Sequence, residues 1–369
     1  MTDTSSTPEF RILSLDGGGI RGLLSALWLR ELEKALGRPL GECFDLIAGT
    51  STGAIQACAL ACGLSAERLA ALYLRDSEEI FPGLIGRVLA RMRRSVSGLI
   101  DGPKYDGRGL DRILRQEFRS AEDGHEFLFG ELKPAVMVLS YDVSARDAVV
   151  FKSFRARHAQ LPVWQVCRAS CAAPTLFPPH ELHWNESGRP RTGVMVDGAL
   201  VANNPAASAL AEARRWLRER GERRRILLAS FGTGATEQLP IQAGEAQDWG
   251  VLRWALPLFD MAFDGATDTV HYICEHALDT RHYFRFQTPV KNTFVRGLDD
   301  VRLANLRDLR SRALNYLRRG EGKRKLAALV SRLNLPRATA VAPPPEPTDD
   351  LPARLRRQRA AEALVRARL

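Results

Sequence analysis

The sequence predicts an α/β fold with a mostly parallel central sheet and helices on both faces. Short apolar runs alternate with segments of helical periodicity, and the first two runs each lead into a glycine-rich turn. Strands that alternate with helices are typical of parallel sheets, because each helix carries the chain back to the start of the next strand. At 369 residues, 45% of them hydrophobic, the chain can bury a core without disulfides or a metal.

The apolar runs expected to form strands lie between residues 10 and 231. They are residues 10–15, 44–48, 135–141, a run ending at Met195-Val196, and residues 226–231. Helical spacing is found at residues 23–36, 52–61 and 305–335. Short apolar runs bounded by turn residues are typical of buried strands, whereas longer segments of helical periodicity are typical of amphipathic helices.

We expect one α/β domain with a C-terminal extension. Residues 1–9 are polar and expected to be disordered. Residues 10–205 hold the three glycine-containing motifs described below, and residues 206–335 complete the same domain with a helical C-terminal part. Residues 336–350 are rich in proline and predict a stiff linker. Residues 351–369 predict an arginine-rich helical tail.

The net charge of +10, from 53 basic and 43 acidic residues, favours an acidic partner. An anionic lipid surface fits this charge. A nucleic acid polymer is disfavoured, because no helix-turn-helix and no basic motif with interleaved aromatic residues accompanies the charge. No apolar stretch is long enough to span a membrane and the N-terminus does not resemble an export signal, so we expect a cytoplasmic protein.

The cysteines are expected to be reduced and buried rather than part of a metal site or a disulfide. No two of them form a Cys-x-x-Cys pair, and most lie in apolar segments. The six are Cys43, Cys58, Cys62, Cys167, Cys171 and Cys274.

The pentad Gly49-Thr-Ser-Thr-Gly53 is the most informative motif. It fits Gly-x-Ser-x-Gly, follows the predicted strand 44–48 and precedes an alanine-rich helix. A serine on such a turn is lifted clear of the sheet, and small neighbours allow the turn to close. The helix N-terminus adds partial positive charge where an oxyanion would develop. This context favours Ser51 as a nucleophile over an ordinary Gly/Ser/Thr loop.

A second glycine-rich turn, Asp16-Gly-Gly-Gly-Ile-Arg-Gly22, also lies between a strand and a helix. Consecutive glycines allow backbone N–H groups to point at one spot and a ligand to approach closely. The loop could cradle a phosphate, since its glycines have the dinucleotide-binding spacing. It could equally stabilise an oxyanion, with Arg21 holding the loop or the anion. A tight turn without a ligand is the third interpretation.

Asp197 and Gly198 follow the run that ends at Met195-Val196. The carboxyl end of a strand is where active sites of α/β proteins collect. In isolation, an Asx turn or a helix cap explains this aspartate as well. The two motifs described above make it a candidate catalytic residue.

Together the motifs resemble the patatin-like phospholipase family, which combines D-G-G-G-x-R-G, G-x-S-x-G and a D-G-A/G motif in this order. Ala169–Pro178 is similar to the A-S-x-A-x-P-x-x-F-x-P stretch of that family, and Phe231–Gly234 matches a later strand end. The resemblance covers residues 10–205 as a patatin-like catalytic core and implies a three-layer sandwich.

The resemblance also implies hydrolysis of lipid acyl esters by a Ser–Asp dyad without a catalytic histidine, a metal or a cofactor. Ser51 would be the nucleophile and Asp197 its general base. Because an aspartate with an ordinary pKa of about 3.9 is a weak base, its site should be partly desolvated. The oxyanion hole would be formed by Gly17, Gly18 and Gly19, with supporting roles for Arg21, Gly49, Gly53 and Gly198.

Three alternatives compete with this interpretation. His271, His276 and His282 follow Asp197 in the order of a Ser–Asp–His triad, but their aromatic surroundings favour packing roles. A Rossmann-type nucleotide-binding protein explains the glycine loop but neither Ser51 nor Asp197. A catalytically inactive patatin scaffold would normally have lost one of the two.

The expected substrate is membrane phospholipid, reached by peripheral contact with an anionic bilayer at the inner membrane. Candidate contact segments are residues 81–94, which are apolar with four arginines, and the C-terminal tail; residues 249–263 could line an acyl pocket or form a lid. A packed helix is the alternative for residues 81–94, and a solvated helix is the alternative for the tail. Some compact bacterial members of the family resemble anti-phage effectors that cyclic nucleotides activate, so a cyclic dinucleotide is a candidate activator. Assembly into a homo-oligomer is left open.

Overall fold

The computed structural model describes residues 8–81, 102–186, 189–237, 244–290, 297–337 and 339–344. Three predictions therefore fall wholly or largely outside the described residues: the disordered N-terminus, the basic apolar segment after Phe81, and the C-terminal tail.

The core of the fold is an eight-stranded sheet in the order β5-β6-β3-β2-β1-β7-β9, with β4 paired to β3. Its strands are β1 (Glu9–Leu15), β2 (Leu46–Thr50), β3 (Ala135–Asp142), β4 (Asp147–Lys152), β5 (His180–Glu186), β6 (Arg189–Asp197), β7 (Arg225–Phe231) and β9 (Tyr283–Phe286). The five neighbours from β3 to β9 run parallel, which confirms the predicted mostly parallel sheet. A separate two-stranded sheet pairs β8 (Ala235–Thr236) with β10 (Pro289–Val290).

The helices agree with the predicted segments where the periodicity is long. Within the described residues they are α1 (Gly22–Leu36), α2 (Thr52–Ala61), α3 (Ala66–Arg75), α4 (Ser77–Ile80), α5 (Arg108–Glu117), α6 (Ala156–Ala159), α7 (Val163–Ser170), α8 (Ala199–Ala202), α9 (Ala206–Glu219), α10 (Val251–Ala277), α11 (Leu303–Arg318) and α12 (Gly320–Leu333). The helix predicted over 305–335 is two helices, because Arg319 between them has an extended backbone, with φ −142° and ψ 161°. Among the described helices, none has both the length and the apolar character needed to cross a membrane.

The two faces of the sheet bury separate apolar clusters, so the fold is the expected three-layer sandwich. Alternate residues of β1 point to opposite faces: Leu13 and Leu15 pack with α1 and α2, whereas Phe10 and Ile12 pack with Trp216 of α9. All six cysteines are free thiols, and five of them are buried. These layers place the carboxyl ends of β1, β2 and β7 at one edge of the sheet.

Five of the described strands were not predicted from the sequence: β4, β5, β8, β9 and β10. The strand that carries Asp197, β6, runs antiparallel to β3. β5 is polar and shows no apolar run, and β9 is only four residues long. Short or polar strands give weak periodicity, and neighbours in the fold decide their state.

The described part of the proline-rich segment lies against the body of the protein. The Trp216 indole donates to the Ala342 carbonyl oxygen at 2.7 Å, and Arg155 donates to that of Pro344 at 3.3 Å. Arg220 donates to the Ala342 carbonyl oxygen at 3.1 Å. Up to Pro344, therefore, the segment predicted to be a linker is anchored by side chains of the sandwich.

Candidate active site

Ser51 lies on the sharp turn between β2 and α2, in the conformation that the pentad predicts. Its φ of 53° and ψ of −124° are strained for a residue with a side chain. The flanking glycines are required by close approach: a Cβ on Gly49 would collide with the Gly53 carbonyl oxygen, and one on Gly53 with the Leu15 carbonyl oxygen. The turn therefore brings α2 directly against the end of β1 and raises Ser51 above the sheet.

The Ser51 hydroxyl donates a hydrogen bond of 2.7 Å to Oδ2 of Asp197, which lies 146 positions away in the sequence. The other carboxylate oxygen, Oδ1, accepts a 2.8 Å bond from the Ala199 N–H. Asp197 is buried, and desolvation raises the pKa of its carboxyl to about 6 although both hydrogen bonds lower it. The two predicted residues thus meet, and a serine hydroxyl lies beside a carboxylate of raised proton affinity.

The segment Ala169–Pro178 holds both members of this pair. Ser170 Oγ accepts the Ser51 N–H at 2.8 Å and donates to the Leu139 carbonyl oxygen at 2.6 Å. The Asp197 N–H donates to the Ala172 carbonyl oxygen at 3.1 Å. The sequence placed this segment near the site only through the family resemblance; its role is to tie β6 to the serine turn.

The glycine loop lies beside the Ser51 hydroxyl, but its three glycines are not equivalent. The Gly17 N–H donates to the Asn203 carbonyl oxygen at 3.0 Å, so this group points away from the cavity. Gly18 and Gly19 line the cavity, and within the described part of the chain their N–H groups have no hydrogen-bond acceptor. The expectation that Gly17 contributes an oxyanion donor is therefore corrected, because its N–H group already donates to a backbone carbonyl oxygen.

Arg21 holds the loop rather than an anion. Its Nε donates to the Thr233 carbonyl oxygen at 2.9 Å, and Nη2 donates to that of Gly234. Thr233 in turn donates to the Gly17 carbonyl oxygen at 2.6 Å. Burial lowers the pKa of Arg21 to about 10, so the guanidinium stays charged at neutral pH. The strand end at Phe231–Gly234 is thereby bonded to both sides of the loop.

Asp16 has a buried partner that the sequence did not reveal. Arg285 of β9 donates to Oδ1 at 3.0 Å and to Oδ2 at 2.6 Å. Burial is the largest influence on Asp16 and raises the pKa of its carboxyl, whereas Arg285 lowers it. No local motif marks Arg285, because its partner lies 269 positions away.

A cavity of about 200 Å³ opens beside the Ser51–Asp197 pair and is lined mainly by apolar side chains. α3, α4 and α5 supply much of the lining, together with the loop after α7. The principal apolar residues are Ile55, Leu72, Ile80, Phe81, Leu110, Ile113, Leu114, Leu176, Phe177, Leu200, Phe263 and Leu298. Residues 249–263 were expected to line an acyl pocket or to form a lid. Among the described residues of this segment, Phe263 lines the cavity.

The three histidines of the alternative triad lie elsewhere. His271 pairs with the Tyr283 hydroxyl at 3.0 Å, His276 with the Tyr272 carbonyl oxygen at 2.9 Å, and His282 with Arg332 at 2.9 Å. Packing roles fit all three, as their aromatic surroundings suggested.

Residues 13–210 match the family model described as patatin-like phospholipase. The chain belongs to the patatin-like phospholipase family. It is 31% identical over 325 residues to a cGAMP-activated phospholipase of Pseudomonas aeruginosa, an alignment that covers 85% of this chain and 90% of the relative. It is also 29% identical over 339 residues to patatin-like protein 1 of Arabidopsis thaliana, with 81% and 79% of the two chains covered.

Among solved structures, this patatin-like phospholipase is similar to VipD from Legionella pneumophila, with a TM-score of 0.40 and 12% identity over 85% of this chain and 70% of VipD. Family membership identifies the protein as an enzyme of the lipid acyl hydrolase class.

Proposed function

We propose that the enzyme releases fatty acids from membrane phospholipids through a Ser51–Asp197 dyad and a covalent acyl-enzyme. The observation that carries the proposal is the 2.7 Å hydrogen bond from the Ser51 hydroxyl to the Asp197 carboxylate in the wall of an apolar cavity. A nucleophile, its base and a water-poor space for an acyl chain thereby lie together.

Acylation begins when Ser51 Oγ attacks the ester carbonyl carbon and its proton passes to Asp197. The C=O electron pair moves onto the carbonyl oxygen, and collapse of this tetrahedral intermediate expels the alcohol part of the lipid, which takes the proton from Asp197. A carboxyl group with a pKa of about 6 supports both transfers, because it can accept and return a proton near neutral pH.

Gly18 and Gly19 are the proposed donors to the developing oxyanion. Their N–H groups border the cavity next to Ser51, and preorganised donors stabilise the negative charge that appears only in the transition state. Gly19 has a left-handed φ of 54°, which a residue with a side chain adopts only under strain. Gly17 and Arg21 have the supporting role of fixing the loop through Asn203, Thr233 and Gly234.

Deacylation repeats the chemistry with water as the nucleophile. Water attacks the acyl carbonyl carbon and gives a proton to Asp197. The second tetrahedral intermediate then releases the fatty acid as Ser51 Oγ leaves and recovers that proton.

We place the bilayer contact at the mouth of the cavity. Leu200 lines the cavity and is 45% exposed, and Leu258 and Met261 of α10, the helix that contributes Phe263, are 58% and 43% exposed. These side chains carry no charge, so they would enter the lipid surface by burial of apolar area. The arginine-rich segments proposed from the sequence would add attraction to anionic headgroups of the inner membrane.

We further propose that a cyclic dinucleotide activates the enzyme, as part of anti-phage defence. The support is the relative named cGAMP-activated phospholipase, which aligns with 85% of this chain. The positive net charge of the chain also suits a ligand with two phosphates. The assay below tests this proposal with added cyclic GMP–AMP.

The decisive experiment measures fatty-acid release from mixed phospholipid vesicles by wild type, Ser51→Ala and Asp197→Ala, each with and without cyclic GMP–AMP. We expect both variants to lose at least about 10³-fold in rate. Ser311→Ala, which changes an exposed serine of α11, is the matched control and should retain the wild-type rate. Release that survives Ser51→Ala refutes the dyad and returns the glycine loop to consideration as a nucleotide site. Equal rates with and without the nucleotide remove only the activation proposal.

A further inference from the structure

Asp299 joins two parts of the molecule that meet at the cavity. Its carboxylate oxygen Oδ2 accepts hydrogen bonds from Lys104 Nζ at 2.5 Å and from the Tyr105 hydroxyl at 2.7 Å. Its side chain is 9% exposed, so this carboxylate is largely removed from water and depends on these two partners.

The residue before Asp299 contacts the glycine loop. The Leu298 carbonyl oxygen accepts the Ile20 N–H at 2.8 Å, and a Cβ on Gly19 would collide with that carbonyl group. The Leu298 side chain lines the cavity. The backbone at Leu298 therefore lies against the turn that presents the N–H groups of Gly18 and Gly19.

The partners of Asp299 belong to the opposite wall. The N–H groups of Lys104 and Tyr105 donate to the carbonyl oxygens of Thr175 and Leu176, both at 2.8 Å. The Tyr105 ring packs against Phe177, a cavity-lining residue, with 5.6 Å between ring centroids. A continuous set of bonds thus runs from the acyl-pocket wall through Asp299 and Leu298 to the glycine loop.

We propose that Asp299 is a positioning residue for the oxyanion donors. Bonded to Lys104 and Tyr105, it fixes the Leu298 carbonyl group, which in turn fixes the Ile20 N–H and the conformation of Gly19. Small displacements of preorganised donors are costly in the transition state and nearly neutral in the ground state. This inference rests on the proposed Ser51 mechanism.

The test compares Asp299→Asn with Asp300→Asn, using a soluble short-chain ester and a trifluoromethyl ketone that forms an oxyanion adduct with the serine. Asp300 is a matched control, because its side chain is 11% exposed, close to the value for Asp299, and its carboxylate accepts hydrogen bonds from Arg302 instead of Lys104 and Tyr105. For Asp299→Asn we expect kcat to fall about tenfold and the ketone inhibition constant to rise by a similar factor, with KM within about twofold. Asp300→Asn should leave all three values within about twofold.

Rates are expressed per site labelled by a fluorophosphonate, so that unfolded protein cannot imitate the effect. Tyr105→Phe, which removes one of the two donors and keeps the ring, should give a smaller change in the same direction. Equal kcat and inhibition constants in the Asp299 and Asp300 variants overturn this inference, and so does a loss confined to KM. A failure of the proposed Ser51–Asp197 mechanism would give a different result, because Ser51→Ala would then keep the wild-type activity.

Discussion

Burial of Asp197 beside Ser51 raises the proton affinity of its carboxyl toward the range that the proposed base would need without a histidine. An aspartate in water would be too weak a base near neutral pH, but the low dielectric around Asp197 raises the pKa of its carboxyl to about 6. The two hydrogen bonds that Asp197 accepts keep it partly stabilised as an anion and fix its orientation. The raised proton affinity of the Asp197 carboxyl and its fixed orientation thus both result from its buried position.

The raised pKa predicts an acid limb in the activity profile. Below about pH 6 the Asp197 carboxyl is protonated and cannot accept the serine proton, so kcat/KM should fall about tenfold per pH unit and level off above about pH 7. The measurement is kcat/KM for a soluble ester between about pH 4.5 and 8.5. A limb centred near pH 4, the range of an ordinary aspartate, would contradict the assigned base.

The same burial predicts that Asp197→Asn stabilises the protein while it inactivates it. Because the folded-state pKa lies above the unfolded one, ionised Asp197 lowers the stability of the folded protein as pH rises through about 6. Removing the charge should raise the free energy of unfolding at pH 8 by up to about 3 kcal/mol and have little effect at pH 4. Urea unfolding at both pH values tests this. An equal effect at the two values would show that the charge is not the cause.

Helix α2 packs so closely against β1 that the position where they meet, Gly53, has no room for a side chain. A Cβ on Gly53 would overlap the Leu15 carbonyl group, which cannot move without disturbing β1. We expect Gly53→Ala to lower the free energy of unfolding by at least about 2 kcal/mol and to abolish activity, because Ser51 would shift with the helix.

The control is Gly265→Ala on α10, where nothing lies within 4 Å of the added methyl group. Alanine is favoured over glycine inside a helix, so this change should stabilise the protein by about 0.5–1 kcal/mol. Thermal and urea unfolding of the two variants should therefore move in opposite directions, and a similar loss in both would reject the steric argument.

Helix α10 exposes Leu258 and Met261 within five residues of Phe263, which lines the cavity, and exposes further apolar side chains nine and ten residues beyond Phe263. Leu258→Ser with Met261→Ser should reduce vesicle binding and fatty-acid release several-fold while hydrolysis of a soluble ester is unchanged, because the cavity keeps its lining. The matched control is Tyr272→Ser with Ile273→Ser, which removes side chains of similar exposure nearer the C-terminal end. Co-sedimentation with vesicles measures binding. Equal losses in both pairs would place the contact elsewhere.

Long-range ion pairs hold the parts of the sandwich in register around the site. Arg285 of β9 joins Asp16 of the glycine loop across 269 positions, and both side chains are buried. Such a pair gains little over apolar packing, but losing one partner leaves an uncompensated buried charge.

We expect Arg285→Met to lower the free energy of unfolding at pH 7 by about 3–5 kcal/mol. The loss should shrink as pH falls, because protonation of Asp16 removes the unpaired charge. Arg281→Met, which breaks the exposed pair with Asp279, is the control and should cost less than about 1 kcal/mol. Equal losses in the two variants would show that the buried ion pair contributes no more to the free energy of unfolding than the exposed one.

Much of the site could be predicted from contiguous residues. The pentad Gly49–Gly53 and the loop Asp16–Gly22 are defined by what a few neighbouring residues allow: a strained serine, close approach of backbone, and exposed N–H groups at the start of a helix. The apolar runs at 10–15, 135–141 and 226–231 likewise became buried strands, because their composition fits no exposed position.

The remaining features depend on residues that only folding brings together. The sequence marked Asp197 through its place at a strand end and the two glycine-rich motifs, but its raised pKa arises from burial by neighbours far away in the chain. Arg285, Asn203 and Leu298 contact the glycine loop without any local signal, and the cavity is shaped by helices from separate segments. Local pattern fixes backbone conformation over a few residues, whereas desolvation, ion pairing and cavity shape depend on the packing of the complete sandwich.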